Sequence, residues 1–162
     1  MSKDVLAIDL GTSTGFAYNR GDKIFQGAWL LATDKEISAW GRNRLRRRKD
    51  PRVERLCKHL GSLGRFDMVV FEDVEFSSYT AQTQLWSGLR SSIWICAQAN
   101  VSECIPVGTL KKFATGSGNA TKEMMFKALE QQYSHLAGGL ANEDDAVDAT
   151  WCWVFAKERF CL

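Results

Sequence analysis

The chain of 162 residues has no apolar run long enough to span a membrane, no internal repeat and no low-complexity tract. Its first residues, MSKDVLAIDLG, pass directly into a strand pattern and lack the layout of a signal peptide. The sequence therefore predicts one domain over residues 1–162 with no membrane partner. That length is sufficient to bury a hydrophobic core.

Cysteine pairs with metal-binding spacing are also absent. The chain has five cysteines, an odd number, and no CxxC motif. This argues against a disulfide framework and against a zinc site, and it favours a reducing compartment. We expect all of them to be packing residues or inert thiols. They are Cys57, Cys96, Cys104, Cys152 and Cys161.

The formal net charge is only +2 at pH 7, but the basic residues are unevenly distributed. The segment RNRLRRRKDPR, residues 42–52, contains an arginine cluster that includes Arg46, Arg47 and Arg48. Such a cluster can bind the phosphate groups of a nucleic acid. A solvated basic surface explains the charge pattern equally well.

Alternating apolar residues near the start of the chain predict three strands joined by tight turns, which is an antiparallel meander. We predict these strands at Val5 to Leu10, Phe16 to Asn19 and Lys23 to Leu31. The region that follows has no clear pattern until Asp50, which can cap a helix that begins at Pro51.

Helices and strands alternate in the rest of the chain. The helix from Pro51 is expected to end at Gly61 and Gly64. The other predicted elements are a strand at Asp67 to Val74, a helix at Thr80 to Ala99 with Leu85, Leu89, Ile93 and Ile95 in core positions, a short strand at Cys104 to Val107, a helical turn at Thr109 to Phe113, a helix at Thr121 to Tyr133 and a last helix capped by Asn142. This order predicts an α/β fold in which helices flank a mixed sheet.

Four acidic residues stand where regular elements end or begin. Asp9 ends the first predicted strand and Glu72 ends the fourth, while Asp145 and Asp148 share one face of the last helix. Carboxylate oxygens suit Mg²⁺ or Mn²⁺, and two such ions can hold the attacking and leaving oxygens of a phosphodiester. The adjacent Asp73 points away from Glu72 in a strand, so only one of them can join the site. The sequence thus predicts a metal-dependent nuclease.

Purely structural roles remain open for some of these acids. Asp144 also shares a helix face with Asp148, so spacing alone does not choose between Asp144 and Asp145. Acids in a first helical turn can simply complement the helix dipole, and Asp9 before a glycine can be a turn former. Asp148 is harder to explain in this way, because apolar residues flank it and a carboxylate among them is costly unless it is paired or metal-bound.

Several motifs resemble those of the RuvC family of Holliday-junction resolvases, within the RNase H-like superfamily. The strongest is IPVGTLKKFATGSGNATKEMM, residues 105–125, which resembles the family pattern of a proline, a lysine, a TGxG loop and an Ala-x-Lys one turn into a helix. Lys111 and Lys122 match the two family lysines. The segments IDLGTSTGF, VVFEDVEF and DAVDA resemble the segments that carry the family carboxylates, and the last of these favours Asp145 over Asp144.

The resemblance covers nearly the whole chain in order and spacing. It implies an RNase H-like α/β fold whose central mixed five-stranded sheet combines an antiparallel meander with parallel strands and is flanked by helices. It also implies a homodimeric endodeoxyribonuclease that nicks Holliday junctions or related branched DNA. The implied cofactor is Mg²⁺, for which Mn²⁺ can substitute, and the implied location is the cytoplasm of a bacterium or of a phage-infected cell.

Carried onto this sequence, the resemblance implies a role for each matching residue. Catalysis is assigned to Asp9, Glu72, Asp145, Asp148 and Lys122, and the four acids among them are the expected metal ligands. Substrate binding is assigned to Lys111, Lys112, Gly116, Gly118, Arg46, Arg47, Arg48 and Phe76. The chain departs from the family where Glu75 occupies the position of an aromatic residue that helps to open the junction, a role that Phe76 or Tyr79 can take over. The first glycine turn is also one residue tighter.

Three other functions share parts of this pattern. An RNase H-like nuclease that acts on RNA or on an RNA–DNA hybrid uses the same acids, and only the TGxG and Ala-x-Lys match favours junction DNA. The DLGTSTG turn also resembles the first phosphate loop of the actin, Hsp70 and sugar-kinase superfamily, although the sequence has no second loop of the DxGG kind. A non-catalytic DNA-binding module is the third alternative, and the presence of all four acids argues against it.

Overall fold

The computed structural model describes residues 3–41, 49–73 and 80–160. Five strands form one sheet, and they are β1 (Val5–Asp9), β2 (Ser13–Arg20), β3 (Lys23–Leu30), β4 (Phe66–Asp73) and β5 (Ala99–Pro106). Their order across the sheet is β3-β2-β1-β4-β5. The first three strands pair antiparallel, whereas β4 pairs in parallel with both β1 and β5. The predicted mixed five-stranded sheet is confirmed.

Seven helices precede, connect or follow the later strands in the described part of the chain. They are α1 (Asp34–Gly41), α2 (Pro51–Leu63), α3 (Thr80–Cys96), α4 (Val107–Thr115), α5 (Lys122–Gln132), α6 (Ser134–Ala137) and α7 (Asp144–Arg159). Within the described ranges, no helix combines the length and the apolar character needed to cross a bilayer.

The sheet separates two hydrophobic cores. Successive residues of β1 point to opposite faces, so Val5 and Ala7 share a core with α4, α5 and α7, while Leu6 and Ile8 share one with α2 and α3. All five residues of this central strand are buried. Trp151 of α7 is fully buried and donates its indole N–H to a carbonyl oxygen of α5 at 3.0 Å, which ties the two helices together.

Local signals explain where three of the helices begin. The Asp50 side chain accepts the N–H of Arg52 at 2.9 Å, as predicted for the start of α2, and Thr121 caps α5 in the same way. Thr33 and Glu36 form a capping box at the start of α1, in which the Glu36 carboxylate accepts the N–H of Thr33 at 2.8 Å. The sequence contained that signal, but the prediction left this region unassigned.

Several predicted boundaries are wrong. β5 begins at Ala99 rather than at Cys104, because most residues of this edge strand are exposed and give no apolar signal. Ile95, which helical spacing placed in the core, is 81 % exposed near the end of α3. α2 continues through Gly61 and ends before Gly64, whose φ of 78° lies in the left-handed region that glycine tolerates.

The later helices also differ from the prediction. α4 has nine residues rather than one turn. α6 was not predicted, and α7 is preceded by Glu143 rather than capped by Asn142. These elements pack on one face of the sheet, so tertiary contacts lengthen or create helices whose local signals are weak.

A disulfide between Cys57 and Cys96 joins α2 to α3, with Cα atoms 5.3 Å apart. The prediction that all the cysteines are packing residues or inert thiols is therefore wrong for this pair. The two residues are 39 positions apart, so only the packing of α2 on α3 brings them together. Cys104 is exposed and free, Cys152 is buried and free, and Cys161 lies outside the described residues. The reducing compartment stays a prediction.

We expect removal of this disulfide, by reductant or by Cys57→Ser, to lower the free energy of unfolding by about 3–4 kcal/mol. The bond restricts the unfolded chain over a separation of 39 residues. Urea unfolding of the oxidised protein measures the loss, and Cys104→Ser at a free exposed thiol is the matched control. A thiol titration in denaturant that finds every cysteine of the purified protein reactive would contradict the bond.

Candidate active site

The carboxyl ends of β1 and β4 lie side by side because these strands pair in parallel, with Ile8 opposite Phe71. The next residues along the two strands are Asp9 and Glu72, whose side chains are hydrogen-bonded to each other. Only 9 % of Asp9 is exposed, so this carboxyl group lies at the bottom of a recess.

Helix α7 packs against β1 and β2 and brings a third carboxyl group to the same place. Asp9, Glu72 and Asp148 line one cavity of about 280 Å³, which we call the carboxylate cavity. Two basic side chains line it as well, Lys111 of α4 and Lys122 at the start of α5. The structure thus brings together three of the four predicted ligands and both lysines that match the family pattern.

The first turn of α7 separates Asp145 from Asp144. Asp145 lies close enough to Asp9 and Asp148 to raise the pKa of both, although it does not line the carboxylate cavity. Asp144 is exposed, and its carboxylate lies 3.4 Å from the Nζ atom of Lys122. The rotation of α7 therefore places Asp145 nearer to the buried acids and leaves Asp144 paired with a lysine at the rim.

Burial and mutual repulsion raise the pKa values of the clustered acids. Burial is the main cause for Asp9, whose pKa lies well above its ordinary range, and the charges of Glu72, Asp148 and Asp145 add to it. Burial also raises the pKa of Glu72, while its hydrogen bond to Asp9 and then the charges of Lys111 and Lys122 oppose the shift. The pKa of Asp148 rises to about 7, mainly through burial and then through the charge of Glu72. Crowded carboxyl groups of this kind lack sufficient positive charge nearby.

The neighbouring acids also raise the pKa of Lys122, and for a lysine this favours the charged form. Burial alone would lower the pKa of Lys122, but the neighbouring Asp144, Asp145 and Asp148 raise it above its ordinary value. Lys122 is therefore charged at neutral pH, at the edge of the most acidic part of the molecule.

The chemistry of these groups fits a divalent cation. The acidic donors are all carboxylate oxygens, the ligands that Mg²⁺ and Mn²⁺ prefer, and burial makes it costly for them to be charged without a cation beside them. In the described part of the chain, no three acidic, histidine or cysteine side chains converge on a single ion-binding point. The fit therefore rests on donor type and electrostatics.

A close backbone contact positions α7 over the strands. A Cβ atom on Gly15 of β2 would lie 1.8 Å from the carbonyl oxygen of Asp145, so only glycine allows the helix to approach this near. Gly15 belongs to the IDLGTSTGF segment, but its sequence position alone gave it no role. Its absent side chain decides how close the acids of α7 come to Asp9.

No family model and no curated protein sequence matched the chain. Among solved structures, Thermus thermophilus RuvC matches 97% of this chain and 96% of its own, with 17% identity and a TM-score of 0.59. T. thermophilus RuvC in complex with Holliday junction substrate matches 98% and 97%, with 17% identity and a TM-score of 0.60. The yeast mitochondrial Holliday junction resolvase Ydc2 matches 91% of this chain and 75% of its own, with 15% identity and a TM-score of 0.54. The chain has the RuvC fold.

Some residues of this chain that were predicted to bind the substrate do not line the carboxylate cavity. Lys112, next to Lys111 in α4, lines a different cavity with Phe113. Gly116 ends α4 at φ 81°, and a Cβ atom on Gly118 would lie 3.5 Å from the carbonyl oxygen of Gly108. Both glycines belong to the turn that precedes Lys122, but neither lines the carboxylate cavity.

Several residues that were predicted to bind the substrate have no described position. Arg46, Arg47, Arg48, Phe76 and the alternative Tyr79 lie outside the described residues. Asp73, by contrast, is described and forms an ion pair with Arg90 of α3. It does not line the carboxylate cavity, whereas the neighbouring Glu72 does.

Trp86 of α3 is a cavity residue that the sequence did not reveal. It lines the carboxylate cavity, and its buried indole Nε1 has no hydrogen-bond partner among the described residues. A tryptophan in a long helix resembles any core residue in sequence, so no local signal singled it out.

Proposed function

We propose that this chain is a metal-dependent endonuclease that nicks Holliday junctions or related branched DNA. The observation that carries the proposal is the carboxylate cavity, which three acidic and two basic side chains line at the ends of β1 and β4. The RuvC fold supports the substrate class, because one solved protein with this fold is bound to a Holliday junction. We assign the activity to a single nuclease domain formed by residues 1–162.

In this proposal Asp9, Glu72 and Asp148 would hold Mg²⁺, or Mn²⁺ in its place, and Asp145 would complete the ligand set from the first turn of α7. When bound, the ion would supply positive charge that offsets the negative charge on the phosphate during hydrolysis. The buried position of Asp9 excludes water from one side of the site, which strengthens every electrostatic interaction there.

The chain's own cations act on the same phosphate. Water adds to the phosphorus atom and the bond from phosphorus to the 3′ oxygen breaks, which leaves a 5′-phosphate and a 3′-hydroxyl. Lys122 and Lys111 reach the cavity from a different side than the strands, so they can stabilise the charge that develops on the phosphate oxygens. Glu72 and Asp145 would orient the attacking water.

Cleavage of matched substrates tests the proposal. Four-way junction, flap, linear duplex and RNA–DNA hybrid are incubated with the full chain and Mg²⁺, with EDTA as the metal-free control. We expect the junction to be nicked well ahead of the duplex and the hybrid. Equal or faster cleavage of the hybrid would instead assign the chain to the general RNase H-like nucleases.

The proposed enzyme is a homodimer, because two equivalent sites match the two-fold symmetry of a four-way junction. Large apolar side chains are exposed at the end of α3 and on the edge strand β5. Trp94 is 58 % exposed, Ile95 is 81 % exposed and Val101 is 43 % exposed. We assign this surface to contact with a second copy, since an edge strand with exposed apolar neighbours favours association.

Ile95→Glu is expected to convert the dimer to a monomer, because it places a charge at the most exposed of these three apolar side chains. Sedimentation of the wild type and the variant over a range of concentrations measures the change. Leu30→Glu is the matched control, since Leu30 is 62 % exposed on β3 at the opposite edge of the sheet. Dissociation by the control alone would move the interface to β3.

A pair of variants tests which of the two neighbouring acids of α7 is needed for cleavage. Asp145→Asn should lower cleavage by about 100-fold, because its charge acts on Asp9 and Asp148, whereas Asp144→Asn should stay within about threefold of the wild type. Single-turnover cleavage of a four-way junction measures both. The reverse order would assign the metal site to Asp144 and Asp148.

A further inference from the structure

A groove of about 640 Å³ lies beside the carboxylate cavity, formed by the β1–β2 turn, α1 and the first turns of α2 and α3. We call it the tryptophan groove because Trp40 and Trp86 both line it. The β1–β2 turn contributes Gly11 and Thr12, which lie two and three residues after Asp9 in the chain. Two residues of the groove wall are therefore close in the chain to the proposed metal ligand Asp9. The volume of the groove is typical of a ligand site.

Trp86 forms the wall between the two cavities, since it lines both. Its indole Nε1–H is buried and has no acceptor within the described ranges. Buried indole N–H groups normally find a partner, because an unsatisfied donor costs free energy. Trp86 lines the groove, so a turn of its indole ring toward a ligand with an oxygen or nitrogen acceptor would supply the missing partner.

The charge on the groove wall argues against a phosphate in this position. Among the described residues that line the groove, Arg52 is the one cation, and its guanidinium group lies 2.7 Å from the Asp50 carboxylate, with side chains only 11% and 15% exposed. Arg52 also donates to the hydroxyl of Thr12 at 3.5 Å and lies 5.9 Å from the ring centre of Trp40. Because the charge is already neutralised and held in place, the wall favours an uncharged ligand.

Aromatic rings, amide side chains and one buried donor together favour a flat heterocycle with acceptor atoms. Gln84 stands on α3 at the exposed side of the groove and can hydrogen-bond the edge of such a ring. Bases that leave a DNA stack are held by aromatic side chains and hydrogen bonds in this manner.

We propose that the tryptophan groove takes one unstacked base of the DNA strand, next to the phosphate that is cut, with Trp86 Nε1–H donating to that base. The proposal rests on the proposed nuclease function and adds to it a determinant of which sequence is cut. Bases that present an acceptor to Trp86 are selected over bases that present a donor there.

A panel of four-way junctions tests the selection. Each base within two nucleotides of the nick is varied, and single-turnover cleavage is measured for the wild type, Trp86→Phe and Trp29→Phe. We expect the wild type to prefer one base at one position by about tenfold, the value of one hydrogen bond. Trp86→Phe keeps an aromatic ring but removes the donor, so the preference should fall below about threefold.

Trp29→Phe is the matched control because Trp29 lies in β3 and lines neither cavity. Gln84→Ala, at an exposed groove residue, should also reduce the preference and covers the case in which Trp86→Phe does not fold. A wild type without any base preference, or a preference that survives in both groove variants, would overturn the proposal while leaving the nuclease assignment intact.

A crosslinking measurement tests whether a base enters the groove, and it does not depend on cleavage. Junctions that carry 5-bromouracil beside the expected nick are irradiated with the Asp148→Asn variant, and the crosslinked peptides are identified by mass spectrometry. Crosslinks from one position to α1 or α3 support the proposal, and crosslinks to other elements alone overturn it. If no DNA is cut by the wild type, the nuclease assignment fails and the crosslinks still determine whether a base enters the groove.

Discussion

Asp148→Asn is expected to lower junction cleavage at least about 1,000-fold while leaving junction binding within a few fold. Asp148 lines the carboxylate cavity with Asp9 and Glu72, and the substitution removes one carboxylate of the proposed metal site with little change in shape. Loss of the several kcal/mol that a bound ion contributes to the transition state corresponds to this factor. Cleavage and binding of one labelled four-way junction measure the two effects separately.

The same variant should be more stable than the wild type at pH 8 in EDTA. The carboxyl group of Asp148 has a pKa of 3.8 when unperturbed and of about 7 in the fold, chiefly because it is buried and then because Glu72 repels its charge. Its contribution to stability is fully present below the lower value and is lost as the pH rises through the higher one. An asparagine carries no charge to bury, so we expect a gain of about 2–4 kcal/mol at pH 8.

Urea unfolding at several pH values between 4 and 8 measures this gain. The variant should lose less stability than the wild type over that interval, and Mg²⁺ should stabilise the wild type more than the variant. Asp73→Asn is the matched control, because Asp73 is an acid at the same end of β4 whose charge is paired with Arg90. If the free energy of unfolding varies with pH in the same way for the wild type and Asp148→Asn, the buried charge of Asp148 does not limit stability.

Gly15→Ala is expected to reduce both stability and cleavage, although it adds only one methyl group. The new Cβ atom would lie 1.8 Å from the carbonyl oxygen and 2.3 Å from the carbonyl carbon of Asp145. Backbone atoms cannot rotate away as a side chain can, so α7 must move from β2. We expect a loss of about 2–3 kcal/mol in unfolding free energy. A displacement of about 1 Å at the acids should lower cleavage by about 100-fold.

Gly61→Ala is the matched control for this substitution. Gly61 lies inside α2, and no atom lies within 4 Å of the position that a Cβ atom would take there. Alanine should therefore raise stability slightly by favouring the helix. Urea unfolding and single-turnover cleavage are measured for both variants. Normal cleavage by Gly15→Ala would mean that the contact between α7 and β2 does not position the acids.

Local sequence patterns were sufficient to predict the sheet and the strand-end acids of this protein. Apolar runs and tight turns predicted the antiparallel meander, and the strand that carries Glu72 was predicted within one residue of its start and end. Asp9 and Glu72 could be named because parallel strands in an α/β fold end at the same edge. Asp148 could be named because a carboxylate among apolar helix residues requires a partner.

Other features depend on contacts between distant residues, and these became visible only in three dimensions. The rotation of α7 placed Asp145 near Asp9 and left Asp144 with Lys122, although both acids share a helix face with Asp148. The packing of α2 on α3 formed the disulfide that cysteine spacing had argued against. The exposure of Ile95 and the place of Trp86 between two cavities have the same origin. Helical periodicity reports that a residue lies on an apolar face, but the neighbouring elements decide what covers that face.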